Sequence, residues 1–155
     1  MQEIINKIHD LLIKKKKTIA VAESCTGGLL SVLLTQVSGS SQYFTLGITT
    51  YSNNTKVAIL KVPHGVILRK GAVSKDVAYR MAQSVRKLAK TDFGIGITGI
   101  AGPTGGTPQK PIGTVFIAIN SKNEKKCNKY IFKGGRKTIR KQAALKSLEL
   151  LKKLL

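Results

Sequence analysis

Thr18-Ile19-Ala20-Val21-Ala22-Glu23-Ser24-Cys25-Thr26-Gly27-Gly28 runs from an apolar segment through polar residues into two glycines, and this passage decides the fold. Thr18 to Ala22 is short, apolar and suited to a buried strand. Thr26 to Val37 reads as a helix, apolar on most sides through Leu29, Leu30, Val32, Leu33, Leu34 and Val37. A helix so apolar is expected to be largely buried. A buried strand feeding a buried helix is the repeating unit of an α/β domain, and ligands gather at the carboxyl ends of its strands.

The flanking sequence extends the pattern. Ile4, Ile5, Ile8, Leu11 and Leu12 recur at helical spacing upstream. Downstream, Tyr43 to Thr50 reads as a strand, Asn53 to Leu60 as a short helix, and Ser74 as the N-cap of a helix carrying Val77, Ala78, Met81, Ala82 and Val85. Phe93 to Thr98 is a third strand. Ile112 to Asn120 and Lys129 to Phe132 form a hairpin around Ser121–Lys126, and Arg136 to Leu155 closes the chain as a helix. These elements predict a single domain, residues 1–155, of the α/β class: a three-layer α/β/α sandwich on a mixed, mostly parallel sheet.

Four strings carry candidate chemistry. In Glu23-Ser24-Cys25-Thr26-Gly27-Gly28, a helix start offers unpaired amides and a partial positive charge to a phosphate or a developing oxyanion. Ser24 or Cys25 supplies a nucleophile there; residue type alone does not choose between them, and Glu23 acquires no role. Thr50-Tyr51-Ser52-Asn53-Asn54-Thr55-Lys56 contains a lysine that, desolvated and neutral, serves as a base for a serine that has no histidine. Gly94-Ile95-Gly96-Ile97-Thr98-Gly99 fits G-x-G-x-x-G, but its first two glycines fall inside a strand and no helix follows, so a dinucleotide fingerprint is rejected. The strand ends instead in a Gly- and Pro-rich loop of the ligand-binding kind, through Gly102 and Gly106. Gly134-Gly135-Arg136 with Arg140 one turn on presents two guanidinium forks suited to phosphate.

Composition bounds the rest. The two cysteines, Cys25 and Cys127, are too few for a disulfide framework or a structural zinc site, and no signal peptide or membrane-length apolar run is visible, so a cytoplasmic location is expected. The two histidines, His9 and His64, are far apart in sequence, and no metal is expected. With 27 Lys+Arg against 7 Asp+Glu the net charge is +20, which raises a nucleic-acid-binding alternative. The lysines are dispersed, however, and aromatics make up only 5%, with no aromatic–basic interleaving for base stacking. A solvated basic surface that helps gather anionic substrates is the preferred explanation. The apolar faces of the terminal helices suit a homodimer.

In their order along the chain, Ala22–Gly28, Gly39-Ser40-Ser41, Tyr51-Ser52-Asn53 with Lys56, Gly71–Ser74, Thr98–Pro103 with Gly105-Gly106, and Lys110–Val115 resemble the C-terminal domain of the competence/damage-inducible protein A family. The resemblance covers nearly the whole chain and is carried by the six strings together. It implies a nicotinamide-nucleotide amidohydrolase: hydrolysis of the carboxamide of nicotinamide mononucleotide to nicotinate mononucleotide and ammonia, with no metal or organic cofactor. By that resemblance Ser24 is the nucleophile, Lys56 its base and Tyr51 an assisting group. Thr26, Gly27, Gly28, Ser41, Thr98, Gly99, Gly102, Arg136 and Arg140 form the expected substrate-binding set. The resemblance further implies that a chain of this extent, without the N-terminal domain of many relatives, carries the amidohydrolase activity alone. A nucleotide-sensing protein without catalysis is the other alternative, disfavoured because Ser24, Tyr51 and Lys56 are all present.

Overall fold

The computed structural model describes residues 1–155. In chain order the elements are α1 (Gln2–Lys14), β1 (Ile19–Glu23), α2 (Leu29–Thr35), β2 (Phe44–Thr49), α3 (Asn53–Ala58), α4 (His64–Lys70), α5 (Lys75–Ala89), β3 (Phe93–Gly99), β4 (Thr114–Asn120), β5 (Lys125–Ile131) and α6 (Arg136–Lys152). The sheet order is β2-β1-β3-β4-β5. Strands β2 and β3 pair parallel with β1, β4 pairs antiparallel with β3, and β5 pairs antiparallel with β4. Four strands therefore share one direction and β4 alone is reversed, which is the expected mixed, mostly parallel α/β/α sandwich.

Alternation along the strands separates two cores. Ile19 and Val21 of β1 join Ile95 and Ile97 of β3 in one core with the buried faces of α1, α2 and α6. Ala20 and Ala22 face the other way, toward Leu60, Val66, Val77, Met81 and Val85. On that second face Gly94 and Gly96 leave no room for a side chain: a Cβ at either would lie 2.2 Å from a carbonyl oxygen of α5. The G-x-G pattern thus serves close helix–sheet packing.

The chain leaves β1 for β2 on one side and later returns to β3 on the other, so the carboxyl ends of three parallel strands meet around Glu23. That reversal of strand order is where open α/β sheets place their ligands.

Two expected elements need correction, and one helix has no counterpart in the sequence reading. The helix read as Thr26–Val37 is shorter, because Gly27 (φ 58°) and Gly28 (φ 94°) are left-handed and form a turn before it. It is also less buried, with Val32 58% exposed. The second hairpin strand begins at Lys125, not Lys129: β5 is an edge strand and tolerates the exposed lysines that made its start read as turn. Helix α4 lacks a legible start signal, since Pro63 stands at its N-cap and no side chain caps it.

Candidate active site

The Ser24–Cys25–Thr26–Gly27 turn leaves the end of β1. Ser24 N donates to Ile97 O of β3 at 3.0 Å, and Gly27 N donates back to Ser24 O at 3.1 Å, so the hydroxyl-bearing residue is fixed from both sides. On the neighbouring strand, Thr50 N donates to Glu23 O at 2.9 Å. Ser52 then caps α3 by accepting from Thr55 N at 3.1 Å. The helix so started swings Lys56 inward.

Lys56 is the central finding. It is only 1% exposed, and its Nζ lies 3.0 Å from Ser24 Oγ, 2.7 Å from Thr50 O and 3.3 Å from Tyr51 O. No carboxylate contacts it. Burial away from water lowers its pKa from the ordinary 10.5, with Cys25 opposing in part. In the neutral amine, two N–H bonds serve the two carbonyls and the lone pair is left for the Ser24 hydroxyl proton. This geometry is that of a base held on a nucleophile.

Cys25, the other candidate nucleophile, is buried, and burial pushes its thiol up to about 12. A thiol held protonated is a poor nucleophile.

Ser24, Cys25, Lys56 and Tyr51 share a cavity of about 290 Å³ with Asn53, Ala72, Val73, the Thr98–Gly102 loop and Arg136. The structure thus brings Ser24, Lys56, Thr98, Gly99, Gly102 and Arg136 together. Thr98 Oγ1 donates to Ala72 O at 2.9 Å, so this hydroxyl joins two walls of the cavity. Arg136 stands at the mouth and donates to Gly102 O at 2.9 Å and to Tyr51 Oη at 2.7 Å.

Other expected residues sit differently. Tyr51 is 58% exposed and its hydroxyl bonds Arg136, not Ser24 or Lys56; only its backbone carbonyl touches the lysine. Arg140 donates twice to Thr26 O, at 3.2 and 2.7 Å, so it braces the Ser24–Gly27 turn and does not line the cavity. Thr26, Gly27 and Gly28 form that turn and also stay out of the lining. Ser41 lies just before β2, whose first residue pairs with the first residue of β1, and so sits a strand's length from Ser24 at the opposite end of the sheet.

Glu23, unassigned by sequence, is fully buried. Its carboxylate accepts from Gly28 N (3.1 Å), Leu30 N (3.0 Å), Ser31 N (2.8 Å) and Ser31 Oγ (2.7 Å). The α2 amides expected to hold a phosphate or an oxyanion are therefore already taken. A signal existed: α2 starts at Gly-Leu-Leu with no capping side chain and no acid in its first turn, so its orphan donors need a carboxylate from elsewhere. The Cys25 amide, by contrast, bonds no other residue of the chain, and Cys25 lines the cavity.

Comparison with known proteins gives a consistent result. The family model described as the CinA C-terminal domain matches residues 1–155. A CinA-like protein of Syntrophus aciditrophicus is 49% identical over 94% of this chain and 35% of its own length. Another from Syntrophotalea carbinolica is 48% identical over 99% of this chain and 37% of its own. The chain therefore spans little more than a third of these relatives. Among solved structures, a competence/damage inducible protein from Agrobacterium tumefaciens superposes with TM-score 0.94 at 34% identity, over 97% of this chain and 92% of that one. A CinA superfamily protein from Escherichia coli gives 0.95 at 32%, over 99% and 90%.

Proposed function

We propose that this chain, which belongs to the CinA C-terminal domain family, is a serine amidohydrolase that converts nicotinamide mononucleotide to nicotinate mononucleotide and ammonia. The observation that carries the proposal is the buried Lys56 amine 3.0 Å from Ser24 Oγ, with its N–H bonds directed to two backbone carbonyls.

The chemistry follows from that pair. Neutral Lys56 takes the Ser24 proton as Oγ attacks the carboxamide carbon. The oxyanion of the tetrahedral intermediate is held by the Cys25 amide next to the nucleophile, such a donor being worth about 3–4 kcal/mol in the transition state. Lys56, now an ammonium, returns its proton to the departing nitrogen and ammonia leaves. A water molecule, deprotonated by Lys56, then attacks the Ser24 ester; Lys56 returns that proton to Ser24 Oγ as the ester bond breaks and nicotinate mononucleotide is released. No step requires a metal or organic cofactor. Arg136 at the cavity mouth supplies the cation for the nucleotide phosphate, steered by Gly102 O and Tyr51 Oη.

The test is ammonia release from nicotinamide mononucleotide by the purified chain and by Ser24→Ala. The expected result is turnover by the parent and none above background by the variant. Undiminished turnover in Ser24→Ala overturns the nucleophile assignment. Nucleotide binding by the parent without ammonia release would establish a sensor in place of an enzyme.

A further inference from the structure

We infer that Glu23 is a positioning residue for the reaction at Ser24: its carboxylate holds the nucleophile turn in the shape that presents the Cys25 amide to the cavity. This inference rests on the serine-hydrolase reading of the site and assigns work to a residue that the reading does not use.

Glu23 immediately precedes the nucleophile and grips both ends of the turn. Its backbone carbonyl accepts from Thr50 N at 2.9 Å, and the Thr50 carbonyl in turn accepts from Lys56 Nζ at 2.7 Å. Its side chain reaches past the turn to the start of α2, where four donors lie within 3.1 Å of the carboxylate oxygens. The peptide from Ser24 to Gly27 is thus closed into a loop by one residue. Inside that loop the Ser24 carbonyl is taken by Gly27 N and the Thr26 carbonyl by Arg140. The Cys25 amide left over directly follows the nucleophile, on the sharp strand-to-helix turn where serine hydrolases draw an oxyanion donor from the residue after the serine.

A buried carboxylate with no cationic partner is costly unless its oxygens are well supplied with donors. Four donors meet that need and make the arrangement stiff. A simple N-cap requires only one or two such bonds and a shorter acid at the cap position itself. Glutamate at the end of the preceding strand couples the helix start to the nucleophile instead.

Glu23→Gln separates the roles. The amide keeps one oxygen for part of the donor set and turns an NH₂ against the rest, so the turn loosens while the fold and the cavity mouth stay. The expected result is a fall in kcat of about 100-fold, the size of losing one oxyanion donor, with KM for nicotinamide mononucleotide changed by less than about threefold. Ser31→Ala, which removes one of the four donors and keeps the carboxylate, should give a smaller loss in kcat and the same unchanged KM. Far-UV circular dichroism and thermal melting establish the folded fraction of each variant.

Either variant with parental kcat per folded molecule, whatever its melting temperature, makes Glu23 a helix cap only and overturns the inference. An equal rise in KM and fall in kcat for Glu23→Gln also overturns it, because the substrate pocket has then moved as a whole. Parent and Ser24→Ala run alongside. A parent inactive on the nucleotide refutes the hydrolase reading, and this inference with it. An active parent and an inactive Ser24→Ala leave that reading standing even if Glu23→Gln proves neutral.

Discussion

Gly96→Ala tests how α5 is seated on the sheet. The new Cβ would lie 2.2 Å from the Ala78 carbonyl oxygen and 2.6 Å from Ala82 N. Favourable contacts settle at about 3.5 Å, so the helix must withdraw by roughly 1 Å, which forfeits about a quarter to a half of the dispersion attraction across the gap. Val77, Met81 and Val85 are fully buried on that face of α5. Burial of each is worth about 1.5–3 kcal/mol. A loss on the order of 1–4 kcal/mol follows, in the range typical of overpacked cores. Urea denaturation followed by circular dichroism reads it directly: the midpoint should fall by about 1 M with little change in slope. A midpoint within about 0.2 M of the parent would show that α5 tolerates the extra carbon. The explanation of Gly94 and Gly96 as packing glycines would then be wrong.

Turnover should rise with pH and level off, because the ammonium form of Lys56 cannot accept the Ser24 proton. Burial lowers the Lys56 pKa, so the rise should be centred below the ordinary 10.5; a profile that falls with pH over that range removes lysine as the base. The same shift has a stability consequence. The unfolded chain holds this proton more tightly, so the contribution of Lys56 to stability rises with pH between its folded pKa and 10.5, as chemical denaturation at several pH values would show. Cys25→Ala should keep turnover within about threefold, since a thiol held near 12 is almost wholly protonated at neutral pH; loss of activity would reopen the choice of nucleophile. The two arginines should separate in steady-state kinetics. Arg136→Ala should raise KM by about 10-fold or more through loss of a charged hydrogen bond to phosphate, whereas Arg140→Ala should act mainly on kcat by releasing Thr26 O; the reverse pattern refutes their placement.

Much of the fold is legible because the elements around the site obey local rules. The Ile-Ala-Val-Ala run of β1, the Ser74 cap of α5 and the helical period behind it are all signals carried by neighbouring residues. Helix α4 and the first half of β5 escape such rules, one started by a proline without a capping side chain and the other an edge strand rich in lysine. The site divides along the same line. By residue type Ser24 is legible only as one of two candidate nucleophiles beside Cys25, and Lys56 is one lysine among many. The roles of nucleophile and base come from the family resemblance of the strings that carry them. Their meeting at 3.0 Å depends on the pairing of β1 with β2, a tertiary fact. Arg140 and Tyr51 illustrate the limit: residue type marks them as able to bind a phosphate or move a proton. Only the three-dimensional arrangement turns one toward Thr26 O and the other toward Arg136. Ser41 lies away from the cavity for a topological reason, since parallel pairing sends the entrance of β2 to the other end of the sheet.

Strand β5 gives part of the net charge a use unrelated to any ligand. As an edge it offers unpaired backbone groups along one side, the surface on which another chain could extend the sheet. Lys125, Lys126 and Lys129 stand exposed along it. A copy of the same strand docking there would set lysines against lysines, and cross-strand like charges oppose pairing. In a chain with only 7 acidic residues, few partners within its own surface can cancel that repulsion. Lysine on this edge insulates the sheet against polymerisation, and a variant with those positions neutralised would be expected to lose solubility before it lost its fold.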